Sequence, residues 1–201
     1  MTTRKTKERI LGLIVLGQPG SGRNTITDKL VGEEKSLKSL RDSLERTLDK
    51  SNRSKVEFKC RTTTYQISEI PGVHHFVERA IRHDVCGFQD VAVVVVSAAD
   101  DGLFDEQKVT WIVRNAVRKF FGIDRIIIAV NKMDSVGWSA EPFNKIARVL
   151  EPIVSRRGSG GKSANSIIPV CGLTGENILT NKSLTWYSGP SLVQALSGID
   201  D

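Results

Sequence analysis

The stretch ILGLIVL-GQPGSGRNT, Ile10 to Thr25, decides how this chain is read. An apolar run of strand length leads straight into nine residues that carry Gly17, Gly20 and Gly22. A strand, a Gly-rich turn and a helix, in that order, let backbone N–H groups converge on an anion, and the helix N-terminus adds its partial positive charge. Gly17, Gly20, Ser21 and Gly22 supply that geometry for a nucleotide phosphate; the alternative is a tight strand-to-helix turn that holds no ligand. The spacing G-x-x-x-x-G of a phosphate loop is met, but Arg23 and Asn24 stand where that motif carries Lys and Ser or Thr.

Further apolar runs of strand length lie at Val91 to Val96, Ile126 to Val130 and Ile167 to Val170, separated by stretches of helical period. This alternation predicts an α/β fold with a mostly parallel central sheet flanked by helices. VAVVVV and IIIAV lack polar alternation, the pattern of central strands covered on both faces. Between them Val109, Ile112, Val113, Ala116, Val117, Phe120 and Phe121 follow helical spacing, with Asp105 and Glu106 before and Arg118 and Lys119 near the end, as the helix dipole favours. A second helix is expected from about Glu141, with Pro142 in its first turn, burying Phe143, Ile146, Ala147 and Leu150 and stopping near Pro152. Lys35 to Ser54 is charged, with leucines at 37, 40, 44 and 48 that suit a surface helix, and Val56 to Ser68 reads as two antiparallel strands at a sheet edge. RRGSGGKSAN, Arg156 to Asn165, is a polar Gly/Ser loop whose G-G-K-S follows no strand and is not read as a second phosphate loop.

At 201 residues, 39% hydrophobic and 26% charged, the chain suits one compact domain. Three widely spaced cysteines (Cys60, Cys86, Cys171) form neither a disulfide framework nor a zinc pattern, so a reducing, cytoplasmic setting is expected. The longest apolar runs are too short to span a bilayer, and no apolar segment of signal-peptide type follows the basic N-terminus; no membrane partner is expected. A formal charge of +6 suits an anionic partner such as RNA as well as it suits a merely solvated surface.

The second chemical signal is Asn131-Lys132-Met133-Asp134, directly after IIIAV. A carboxylate held at a strand end accepts from the N1–H and the exocyclic amine of guanine together, whereas adenine presents an acceptor at N1. Downstream of a Gly-rich strand–turn–helix, and at the C-terminal edge of a parallel sheet where such folds bind ligands, N-K-x-D points to guanine nucleotide.

With these motifs in order, the chain resembles the P-loop G domain of the translational GTPases, in the branch of elongation factor one-alpha, the release-factor GTPase and the ribosome-rescue GTPase that works with Pelota. The resemblance lies in EIPGVHHF (69–76), VVVSAADDGLFDEQ (94–107), IIIAVNKMDSVGW (126–138), IIPVCGLTGENI (167–178) and WYSGPSLVQAL (186–196). CGLTGEN and WYSGP lean toward the rescue and release members. The resemblance implies GTP or GDP as ligand, bound by Gly17, Gly20, Ser21, Gly22, Arg23, Asn24, Thr25 and Gly72 at the phosphates. It places Asp134 on the base edge, the Lys132 stem over the ring, and Asn131 as a brace of the phosphate loop. Cys171, Gly172 and Leu173 match the loop whose backbone meets the guanine carbonyl, Cys171 replacing a family Ser.

The departures gather on the phosphate side. Arg23 replaces the family Lys, keeping the charge in a larger planar group. Asn24 and Glu69, replacing Ser or Thr and Asp, are the residues left to bind magnesium, and a site demanding near-ideal octahedral geometry is expected to be weakened by them. Val73 replaces the His that orients water, so no catalytic residue is assigned. The first switch, with its magnesium-binding Thr, has no convincing counterpart in ERTLDKSNRSK.

The chain is therefore read as a single G domain over 1–201, with a basic tail over 1–9 and, at 197–201, the start of a linker to two β-barrels that the sequence does not contain. The reading is a guanine-nucleotide-binding domain with weak GTP hydrolysis; whether it acts as an enzyme stays open. The alternatives are an active translational GTPase stimulated by the ribosome and a pseudo-GTPase serving as an interaction scaffold. Beyond guanine nucleotide, the partners implied are the ribosome, RNA, or a translation or RNA-decay factor. DNA is not expected, and a monomer is.

Overall fold

Alternate residues of the first strand, β1 (Arg9–Gly17), enter two different cores, and this division organises the molecule. The computed structural model describes residues 9–32, 56–60, 62–71, 89–99, 104–155 and 166–198. The proposed helix over 35–54, the loop over 156–165, and Gly72 and Val73 lie outside the described residues.

The remaining strands are β2 (Val56–Cys60), β3 (Thr63–Pro71), β4 (Val91–Ser97), β5 (Arg125–Asn131) and β6 (Ser166–Pro169). They form one six-stranded sheet in the order β2-β3-β1-β4-β5-β6. Only the β2–β3 pair is antiparallel; it is the hairpin expected over 56–68, with β2 at the edge and β3 joined in parallel to β1. β4 and β5 have neighbours on both sides, and every residue of β4 is buried, as runs without polar alternation require.

Helix α1 (Arg23–Val31) and helix α4 (Leu192–Ser197) cover one face of the sheet, where Ile26, Leu30, Leu192 and Leu196 pack on Leu13, Val15, Val93, Val95 and Ile127. Helix α2 (Glu106–Trp111), which runs on into π-helical turns over Ile112–Phe120, and helix α3 (Ala140–Val154) cover the other, against Ile14, Leu16, Val94, Val96, Ile126 and Ile128. The result is a three-layer α/β fold of P-loop type. No helix among the described residues is long and apolar enough to cross a membrane.

One expectation needs correction. The helix expected over 109–121 is α-helical only to Trp111. Beyond it the wider i→i+5 turns keep Ile112, Val113, Ala116 and Val117 inward but carry Phe120 to the surface, because more residues per turn rotate the later positions off an α-helical stripe. Helix α3 ends at Val154, near the expected stop, with Pro152 inside its last turn. Pro152 forfeits its own helical N–H bond, but only two helical residues follow it, so a bend there displaces little, and the burial of Ile153 and Val154 offsets the loss. Its start is as expected: Ser139 caps it, accepting from the Glu141 N–H, with Pro142 in the first turn.

Candidate nucleotide site

Parallel strands bring their C-terminal ends to one edge of the sheet, so Gly17 at the end of β1, Asn131 at the end of β5, and Cys171, two residues beyond β6, arrive on the same side. There the Gly-rich loop turns sharply. Gly20 and Gly22 take φ of 79° and 88°, the left-handed region that favours glycine. Gly22 ends the loop at the start of α1, where no side chain caps the helix. Arg23, Asn24 and Thr25 form the first turn, all half-buried. The Ser21 side chain is buried and its Oγ has no hydrogen-bond partner among the described residues. An unsatisfied buried hydroxyl in a loop ending at an uncapped helix N-terminus suits an anionic oxygen, so this cradle fits a nucleotide phosphate.

Asn131 joins the three loops. It is buried at 3% exposure, its Nδ2 donates to the Ser21 carbonyl at 2.9 Å, and its Oδ1 accepts from the Gly172 N–H at 2.7 Å. Both glycines are needed for this approach. A Cβ on Gly22 would lie 2.2 Å from Asn131 Nδ2, and one on Gly172 would press on Ile26, Thr25 and Asn131 at 3.2–3.3 Å.

Lys132 follows at φ 62° and the chain enters a single 3-10 turn, Met133–Val136, which buries Met133 in the core and leaves Asp134 exposed at the rim. The turn closes on Gly137 and Trp138, at φ 58° and 56°; the Trp138 N–H returns to the Met133 carbonyl at 2.8 Å. A left-handed tryptophan is strained, by about 1–3 kcal/mol, and persists only where its surroundings hold it.

In the loop after β6, Cys171 is buried, and its Sγ accepts from the Thr174 N–H at 3.5 Å, so the thiol acts as an acceptor. Leu173 is 72% exposed, leaving its backbone at the surface of the cradle. Glu69 lies on β3, in register with Val15; among the described residues no group of three or more His, Cys, Asp or Glu is placed to hold a metal ion.

Several residues of this edge escape a reading of spacing. Glu176 pairs with the Lys182 ammonium and accepts from the Thr174 hydroxyl at 3.0 Å. The hydrogen bond from Lys182 holds its carboxyl below the usual range; partial burial opposes this, the Thr174 hydroxyl and the Lys182 charge reinforce it, and the negative charge of Asp134 works against it. Lys182 Nζ also sits 4.6 Å from the centroid of Trp138. The Trp186 indole donates to the Trp138 carbonyl at 2.9 Å and packs with Tyr187 on Phe143 of α3. Tyr187 donates to the Pro190 carbonyl at 2.9 Å, and a Cβ on Gly189 would lie 2.5 Å from its Oη, which accounts for the compact WYSGP turn. Buried Asn177 donates to the Pro169 carbonyl at 2.7 Å and accepts from the Lys182 N–H at 3.1 Å. Trp138, Thr174, Glu176, Asn177 and Trp186 lie inside the resembling stretches, and Lys182 lies outside them; nothing in the local pattern marks them as partners.

This architecture agrees with comparisons to known proteins. Among curated relatives, elongation factor 1-alpha of Methanosphaera stadtmanae is 33% identical over 72% of this chain and 33% of its own length. Elongation factor 1-alpha of Methanopyrus kandleri is 27% identical over 98% of this chain and 48% of its own. The chain thus spans between a third and half the length of these relatives. Among solved structures, the GTPase-like domain of S. cerevisiae Ski7 bound to GDP and inorganic phosphate superposes with a TM-score of 0.67 at 18% identity, over 96% of this chain and 49% of that one. Sup35 complexed with GMPPNP gives 0.64 at 18% identity, over 94% and 44%. The family described as Elongation factor Tu GTP binding domain matches residues 8–198, nearly the whole chain, and this protein belongs to it.

Proposed function

We propose that this chain is a G domain that binds GDP and GTP and hydrolyses GTP slowly. The observation that carries the first half is Asn131, which ties the phosphate loop to the Cys171–Leu173 loop from the residue that begins N-K-x-D. In this reading the Gly17–Gly22 loop and the first turn of α1 hold the phosphates, with Arg23 supplying charge. Asp134 accepts from the guanine edge, Lys132 covers the ring, and the Gly172 and Leu173 backbone meets the guanine carbonyl. A bound magnesium would be held by Asn24 and Glu69 and would supply charge neutralisation at the phosphates. Asn offers only a neutral carbonyl and Glu a longer reach than the family's Asp, so the ion is held weakly.

The second half rests on where the departures fall. Arg23, Asn24, Glu69 and Val73 all touch phosphate, magnesium or water chemistry, while Asn131, Lys132 and Asp134 are intact. Phosphoryl transfer depends on positioning and electrostatics, so a domain can bind through the base while the γ-phosphate and attacking water are poorly held. Family membership supports a cytoplasmic partner from translation or RNA decay, including the ribosome or its RNA, and the net charge of +6 suits an RNA partner.

Titration of fluorescent GDP, GTP and ADP, each with and without magnesium, tests the reading. Tight GDP and GTP binding with little magnesium dependence and no ADP binding is expected. Equal ADP binding would overturn the guanine assignment, no binding at all would favour the scaffold, and fast turnover of bound GTP would favour the ribosome-stimulated enzyme.

A further inference from the structure

The loop that carries Asp134 is bounded by left-handed, non-glycine residues at both ends, Lys132 and Trp138. Its geometry therefore depends on contacts from outside the loop. Trp138 is held at two points: its carbonyl by the Trp186 indole, and its ring by the Lys182 ammonium. Lys182 is in turn fixed through its backbone N–H by buried Asn177 and through its ammonium by Glu176, in the loop that begins at Cys171. The two base-facing loops, at the ends of β5 and β6, are thus latched together by one cation between a carboxylate and an indole face.

Resting on the guanine-nucleotide reading above, we infer that Lys182 is a positioning residue for base recognition, clamping the Asp134 loop to the Cys171–Leu173 loop through Glu176 and Trp138. It need not touch the nucleotide. Lys182 also neutralises Glu176, whose bare charge would otherwise disturb Asp134, the neighbouring acceptor for the base. Both effects act on the base edge and leave the phosphate cradle alone.

GDP and IDP share every group except the exocyclic amine that Asp134 accepts, so the ratio of their affinities reads the geometry of that carboxylate. Lys182→Met keeps the aliphatic stem over Trp138 and removes the charge. It is expected to lower GDP affinity about five- to tenfold and IDP affinity less, about two- to threefold, because IDP keeps the N1–H and has only that contact to lose. Lys182→Arg retains both the ion pair and the stacking on the indole, and should restore the ratio. Trp138→Leu, which removes the ring and keeps the carbonyl, carries the same comparison if Lys182→Met does not fold. A wild-type protein that fails to prefer GDP over ADP sinks the guanine reading and this inference with it. A wild-type preference for GDP with an unchanged GDP/IDP ratio in the folded variants, or an equal loss of both affinities, overturns the inference alone.

Discussion

Asn131 Nδ2 donates to the Ser21 carbonyl at 2.9 Å across 110 residues of chain, so the last residue of β5 holds the phosphate loop in shape. Its Oδ1 accepts from the Gly172 N–H, and both bonds are buried. Asn131→Ala should leave these partners unsatisfied and cost on the order of 2 kcal/mol of stability, read as a lower urea midpoint with unchanged slope. GDP affinity should fall with it. An Asn131→Ala protein as stable as wild type would show that the loops do not depend on this brace.

Gly22→Ala attacks the same contact from the other side. The added methyl meets Asn131 Nδ2 at 2.2 Å, and the residue must also hold a φ of 88°. The substitution should destabilise more than the roughly 1–2 kcal/mol of left-handed strain alone. In the Asn131→Ala background the clash disappears and the strain remains, so the double mutant should be less destabilised than the sum of the single changes. Strict additivity in a double-mutant cycle by chemical denaturation would contradict this geometry.

Asp134 stands exposed near the start of its short turn, and in the proposed reading it accepts from a base edge. Asp134→Asn presents one carbonyl and an amide donor instead of two acceptors. GDP binding should weaken by about 1–3 kcal/mol, measured by titration, with the fold unchanged because the side chain is not part of the core. Unchanged GDP affinity would contradict the assignment.

Hydrolysis is expected to be no faster than that of unstimulated small GTPases, on the order of 10⁻⁴ per second. Val73→His alone should help little, since an oriented water is of no use against a misplaced γ-phosphate. Restoring the family residues at 23, 24, 69 and 73 together should help more than the sum of the single reversions. Single-turnover assays of the chain and these five variants decide the matter, and an unassisted wild-type rate well above about 10⁻² per second would reveal an efficient GTPase.

Burial of Tyr187 raises its phenol from 10.0 to about 12. A group whose folded pKa is raised contributes stability that is present below its unfolded pKa and is lost as pH rises through the folded value. Stability should therefore decline between about pH 10 and 12 partly through Tyr187. Tyr187→Phe should flatten that part of the alkaline decline while costing about 1 kcal/mol at neutral pH for the lost bond to Pro190. Denaturant midpoints of both proteins across this window give the comparison.

The strand-length apolar runs, the Gly-rich turn and N-K-x-D made the layered sheet and the two loops of the candidate site legible, because burial on both faces and tight turns impose local residue choices. VAVVVV carries the pattern of a strand covered on both faces, and the glycines of the turn after β1 allow the left-handed backbone that Gly20 and Gly22 adopt. The parallel order also followed, since each strand is separated from its parallel partner by enough chain for a crossover. The π-helical turns after Trp111 were not legible: Val113, Ala116 and Val117 face inward at either pitch, and only packing against the sheet and α3 selects the wider one.

The sequence by itself determined which loops make up the candidate nucleotide site, because strand ends, glycines and a carboxylate declare themselves within a few residues. Only the tertiary structure decided what holds those loops together. Asn131 is 41 residues from Gly172, and Lys182 is 44 from Trp138, so no local periodicity relates them. They meet because parallel strands deliver their C-terminal ends to one edge, where a hydrogen bond and a shared cation can join residues that the chain keeps far apart.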